Sequence, residues 1–144
     1  MFMFQDIGGD LTCDSVQIAL RFPGGNMEEP KWHIDGISYA GNGVTAEKMP
    51  ECVAILGIYM SDVEYSGDGE LQIAPRSHLA VHEFARKHGW SSLQKGALPE
   101  VENQMSIWGK AGTAVVMHPQ MMHRVMPNRN TNIRYAVYFR YYRR

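Results

Sequence analysis

The chain has 144 residues, 44% of them apolar, enough for a single domain with a buried core and too apolar for a disordered segment. Fourteen Lys+Arg against fifteen Asp+Glu leave a net charge of −1, which argues against a general electrostatic attraction to nucleic acid or membrane. Two cysteines are too few for a disulfide framework, no apolar run approaches the roughly 20 residues of a membrane-spanning helix, and the N-terminus lacks a signal-peptide pattern, so a reducing, cytoplasmic setting is expected.

The first strong signal is period two over 16–22, "VQIALRF", with Val16, Ile18, Leu20 and Phe22 on one side and Gln17, Ala19 and Arg21 on the other. That pattern predicts a half-buried strand, and "PGGN" then breaks it. The segment "WHID" follows, and 37–51 reads as a long irregular loop. The run 52–63, "CVAILGIYMSDV", predicts a fully buried strand. A turn over 64–70 leads to a short strand at 71–75 ended by proline. Residues 77–89 read as a short helix with Ser77 as N-cap and Gly89 past its end, and 90–108 is ambiguous. Strands are expected at 112–119, 123–128 and 133–142. The last alternates Tyr135, Val137, Phe139 and Tyr141 against Arg134, Ala136, Tyr138 and Arg140. Many short strands without crossover helices predict an all-β sandwich or barrel with few short helices. Ten methionines are many for this length and suit an irregular core or an apolar pocket.

His33 and Asp35 stand two residues apart with apolar Ile34 between them. In extended chain, residues i and i+2 point to one side, so an imidazole nitrogen and a carboxylate oxygen form a two-pronged claw. Two histidines and one carboxylate on one face of an octahedron are the usual ligands of oxygen-activating ferrous iron. The third ligand must then come from a distant strand, and His118 and His123 are the candidates. Their odd separation would point them to opposite sides of one continuous strand, but Pro119 makes a bend expected, so parity does not choose. An anionic co-substrate on the metal needs a buried cation at its far end, and arginine binds a carboxylate through two hydrogen bonds. Arg134, 11 residues beyond His123 across the turn "PNRNTN", can lie beside it on a neighbouring strand, which favours His123.

"WHID", then "GDGELQIAPRSH", then "GTAVVMHPQMMHRVMPNRNTNIR" resembles the phytanoyl-CoA dioxygenase-like (PhyH) group of iron(II)/2-oxoglutarate oxygenases, over roughly residues 16–140. The resemblance implies a double-stranded β-helix, the cupin-like jelly-roll. It implies Fe(2+) as metal, with His33, Asp35 and His123 as ligands, and Arg134 as holder of the 2-oxoglutarate C5 carboxylate. It also implies conversion of 2-oxoglutarate and O2 to succinate and CO2 with hydroxylation of a small organic substrate. A small residue in place of Asp35 would signal halogenation, so the carboxylate favours hydroxylation. Gln17 is a candidate second contact to the co-substrate. Three departures stand out: Arg76 where the family's "PGSH" has glycine, "GT" at 112–113 for "GD", and a largely missing N-terminal helical region. If Arg134 faces inward, Tyr135, Val137 and Phe139 would sit on the outer side of the last strand; an apolar outer side needs a partner, and a homo-oligomer is one expected way to supply it.

Plainer readings stand beside these. A lone His-x-Asp is more often a surface pair, His118 more often a packing residue, and His78 and His82 are read as ordinary helix-surface histidines. Ser77 and His78 are also candidates for the pocket mouth. The tail "RYYRR" continues a strand pattern and does not mark a nucleic-acid binder. Two other functions compete: a cupin-type metal barrel that does not use 2-oxoglutarate, and a non-catalytic barrel that retains the site. Arg134 separates the first from the oxygenase.

Overall fold

The computed structural model describes residues 11–25, 28–35 and 52–143. The loop expected over 37–51 lies outside them. Seven strands and two helices follow in order: β1 (Leu11–Arg21), β2 (Cys52–Tyr59), β3 (Leu71–Ile73), α1 (Ser77–His88), α2 (Trp90–Gln94), β4 (Met105–Ile107), β5 (Ala114–Met117), β6 (His123–Val125) and β7 (Arg134–Arg143). The ambiguous stretch thus holds α2 and β4.

The strands form two antiparallel sheets, a larger one in the order β1-β7-β2-β5 and a smaller one in the order β4-β3-β6. Their inner sides enclose one core, built from Ile55, Tyr59, Val63, Leu71, Met117, Ala136 and Tyr138. This is the jelly-roll core that the strand pattern and the resemblance led us to expect. The Tyr59 hydroxyl joins the sheets, donating to the Ile107 carbonyl (3.0 Å) and accepting from the Leu71 N–H (3.0 Å). A second core, with Ile34, Ala74, Val81, Ala85, Leu93 and Met122, seats α1 and α2 behind the smaller sheet.

Three sequence expectations need correction. The apolar side of β1 faces outward: Val16, Leu20 and Phe22 are exposed and Ile18 keeps 75% of its surface, while Ala19 packs on the inter-sheet core. In register, Val16 lies opposite Phe139, Ile18 opposite Val137 and Leu20 opposite Tyr135. The outer side of the larger sheet is therefore apolar across neighbouring strands, and Val116 on β5 extends it. Secondly, β2 is not buried on both sides: Ile55, Gly57 and Tyr59 are buried, and Leu56 and Ile58 share the half-exposed outer side. Thirdly, Ser77 is not the N-cap of α1. That position is Arg76, in the left-handed region at φ 65°, without a capping side chain. Ser77 begins the helix and its hydroxyl accepts the Met122 N–H at 2.8 Å, tying α1 to the start of β6. Glycine alone adopts that backbone without a Cβ penalty.

Candidate metal centre

The claw is positioned by backbone. His33 and His123 form an isolated antiparallel bridge, with His33 N–H to His123 C=O at 3.1 Å and His123 N–H to His33 C=O at 2.9 Å. Residues directly opposite in such a bridge project to one side, so the two rings meet, 4.3 Å apart between centroids. Asp35 follows two residues on, its N–H held by the Pro119 carbonyl at 3.0 Å. Ile34 points the other way, into the helix core, where it is fully buried. The alternation His-Ile-Asp is thus an amphipathic pattern: ligand atoms toward the inter-sheet space, an apolar anchor away from it.

One donor atom each from His33, Asp35 and His123 lies within 4.8 Å of the others, a spacing that fits a single metal ion. His123 Nε2 is 3.7 Å from Asp35 Oδ1. The opposite ring nitrogens are anchored: His123 Nδ1 lies 2.8 Å from the Met121 carbonyl, and His33 Nδ1 lies 3.4 Å from that of Lys31. A carbonyl only accepts, so each anchored nitrogen carries a proton, and Nε2 is the ring nitrogen turned toward the cluster. Burial, followed by the neighbouring His123, lowers the His33 pKa and keeps its ring neutral.

His118 stands elsewhere. Its ring stacks on His78 at 5.0 Å, and its Nδ1 accepts the Gln120 N–H. The chain turns between them, with the Met121 N–H on the His118 carbonyl, which removes the parity question.

Arg134 opens β7 on the inner side of the larger sheet and is 2% exposed. Nη2 donates to the Tyr138 hydroxyl (3.3 Å), and the guanidinium lies 5.2 Å from the centre of the Tyr59 ring. Its Nε and Nη1 are buried without a partner, the only guanidinium atoms so placed among the described residues. Arg21 is its direct cross-strand partner on β1. Two arginines opposite one another repel, an arrangement that an anion between them would relieve. The turn before β7 is fastened by Asn128, whose amide donates to the carbonyls of Arg21 (2.8 Å) and Asn132 (2.7 Å). The "PN…R" spacing therefore sets the start of β7 against the end of β1. Arg124, a rival for the anion, is spent elsewhere, on Glu29, Gln72, Gln104 and the Trp32 ring.

Two further residues belong to the site. Arg140 donates to Asp35 Oδ2 through Nε (3.1 Å) and Nη2 (2.6 Å). Gln17 accepts from Arg140 Nη2 at 3.0 Å, so its carbonyl is committed to that arginine. Tyr138, between Arg134 and Arg140 on the same side of β7, packs against Gly57, where an added Cβ would stand 2.8 Å from the ring. The alternation of 134–141 already put Arg134, Tyr138 and Arg140 together; what it lacked was the partner, since Asp35 is 105 residues away in the chain.

No family profile matches the sequence, and no curated protein matches it. Solved structures do. The non-heme alpha ketoglutarate dependent carbocyclase SnoK from nogalamycin biosynthesis superposes with TM-score 0.65 at 21% identity, covering 94% of this chain and 51% of that one. A nickel complex of the non-heme monooxygenase ThoJ gives TM-score 0.63 at 21% identity, covering 94% and 46%. EctD from S. alaskensis with 2-oxoglutarate and 5-hydroxyectoine gives TM-score 0.62 at 16% identity, covering 94% and 45%. What this chain shares with these three proteins is the fold. The chain spans about half the length of these proteins.

Proposed function

We propose that this chain is an iron(II)/2-oxoglutarate-dependent oxygenase domain of the PhyH-like kind that hydroxylates a small organic substrate. The observation that carries the reading is a two-histidine, one-carboxylate cluster in the same inter-sheet space as a buried guanidinium with two unpaired nitrogens. A cupin that does not bind a dicarboxylate has no use for that guanidinium, whose unmet hydrogen bonds cost stability.

In this reading His33, Asp35 and His123 hold the iron, through two ring nitrogens and a carboxylate oxygen. Arg134 takes the far carboxylate of 2-oxoglutarate, with Arg21 opposite it and the Tyr138 hydroxyl beside it. Gln17 serves as a further contact through its amide nitrogen. When bound, the iron supplies the coupled reaction in which 2-oxoglutarate, O2 and a substrate C–H bond give succinate, CO2 and an alcohol. The protein's part is orientation. The Met121 and Lys31 carbonyls set the ring faces, and Arg140 sets the carboxylate. The Tyr59 and Tyr138 rings cover the arginine end against water.

The test is succinate formation by the purified chain with iron(II), ascorbate and 2-oxoglutarate. Anaerobic addition of 2-oxoglutarate to the iron-loaded protein should also produce a visible charge-transfer band. Iron binding without any such band, and without succinate, would overturn the reading.

A further inference from the structure

A carboxylate can give a metal one oxygen or two. Which of these Asp35 gives decides how many positions remain for small molecules. Each carboxylate oxygen has two in-plane lone pairs. Asp35 Oδ2 accepts two hydrogen bonds from one edge of the Arg140 guanidinium, from Nε–H (3.1 Å) and from Nη2–H (2.6 Å), which turns that oxygen toward the arginine. Among the described residues Oδ1 takes no bond from Arg140, and it is the oxygen that faces His123 Nε2, at 3.7 Å. Arg140 is itself held: it is buried on the inner side of β7, its backbone is paired with β1 and β2, and Nη2 also donates to Gln17. The guanidinium cannot swing away without leaving a buried charge and a buried carboxylate unpaired.

From this we infer that Arg140 is a positioning residue that makes Asp35 a one-oxygen ligand and so reserves a metal position for the co-substrate. The inference rests on the oxygenase reading above but concerns a separate property. Ion binding needs the three donors. Co-substrate chelation needs, in addition, the position that a two-oxygen Asp35 would fill.

The experiment uses the whole chain with Co2+ as an air-stable probe. The parent protein, Arg140→Met, Arg140→Lys and Gln17→Leu are titrated with Co2+, and the loaded proteins then with 2-oxoglutarate. Arg140→Met is expected to bind Co2+ at least as tightly as the parent, because the full carboxylate becomes available. Its visible Co2+ spectrum should change before any 2-oxoglutarate is added. Its 2-oxoglutarate affinity should fall by about tenfold or more, while its Co2+ affinity does not. Arg140→Lys, which still donates to Oδ2, should recover most of that loss. Gln17→Leu keeps the fold decision separate: it loosens Arg140 without removing it, and its Co2+ spectrum should shift in the same direction. An unchanged Co2+ spectrum in both Arg140→Met and Gln17→Leu overturns the inference. So does parallel loss of Co2+ and 2-oxoglutarate binding in a folded Arg140→Met. If the parent binds Co2+ independently of His33 and Asp35, the oxygenase reading itself fails, which is a different result.

Discussion

Replacing Arg134 by methionine should make the ligand-free protein more stable while crippling co-substrate binding. Methionine has similar length and no polar group. In the ligand-free protein, Nε and Nη1 are buried and unpaired. Each such group costs about 1–3 kcal/mol, so together they cost at most about 2–6 kcal/mol. The contact with Tyr59 and the bond to Tyr138 offset part of this, the first by about 0.5–2 kcal/mol. The expected net gain for Arg134→Met is about 1–4 kcal/mol, as for other buried charges replaced by apolar groups of like volume. Repulsion from Arg21, the cross-strand partner, acts in the same direction. With 2-oxoglutarate bound, the sign reverses. One or two charge-assisted bonds at about 1.5–3 kcal/mol each are then missing, which weakens binding at least about tenfold. Urea unfolding of both Co2+-loaded proteins, with and without 2-oxoglutarate, reads both effects. At about 100 times its Kd the ligand should stabilise the parent by about 2.7 kcal/mol and the variant far less. A variant that is less stable without ligand, yet equally stabilised by 2-oxoglutarate, would refute the reasoning.

Other outcomes follow from single contacts. Gly57→Ala drives a methyl into the Tyr138 ring at 2.8 Å, and should cost about 1–3 kcal/mol in chemical denaturation while also weakening 2-oxoglutarate through Tyr138. Arg76→Gly removes a side chain from a left-handed backbone position, and should raise stability by roughly 0.5–1 kcal/mol in the same assay. Cys52 is pushed up to about 11 by burial first and by Asp35 second. At pH 8 only about one thiol in a thousand is then ionised, so iodoacetamide should modify exposed Cys13 long before Cys52, as peptide mapping would show.

The β-rich fold class and the claw were legible because both rest on local periodicity. "WHID" needs no distant information to put His33 and Asp35 on one side and Ile34 on the other. The orientation of β1 was not legible. Alternation in "VQIALRF" separates two sides, but only the register with β7 shows that the apolar one faces out. The same limit hid Arg140, whose partner lies across the molecule. His123 could be preferred over His118 by its distance to Arg134, yet what brings it to His33 is a backbone bridge that no side-chain pattern encodes. Arg76 shows the converse: a departure visible in sequence that becomes physical only once its φ is known.

The most direct measurement is metal binding by the donors themselves. Isothermal titration with Co2+ should find one ion per chain in the parent protein. His33→Ala, Asp35→Ala and His123→Ala should each abolish it, while His118→Ala should leave it intact. Undiminished binding in the His123→Ala protein, or its loss in His118→Ala alone, would contradict the site described.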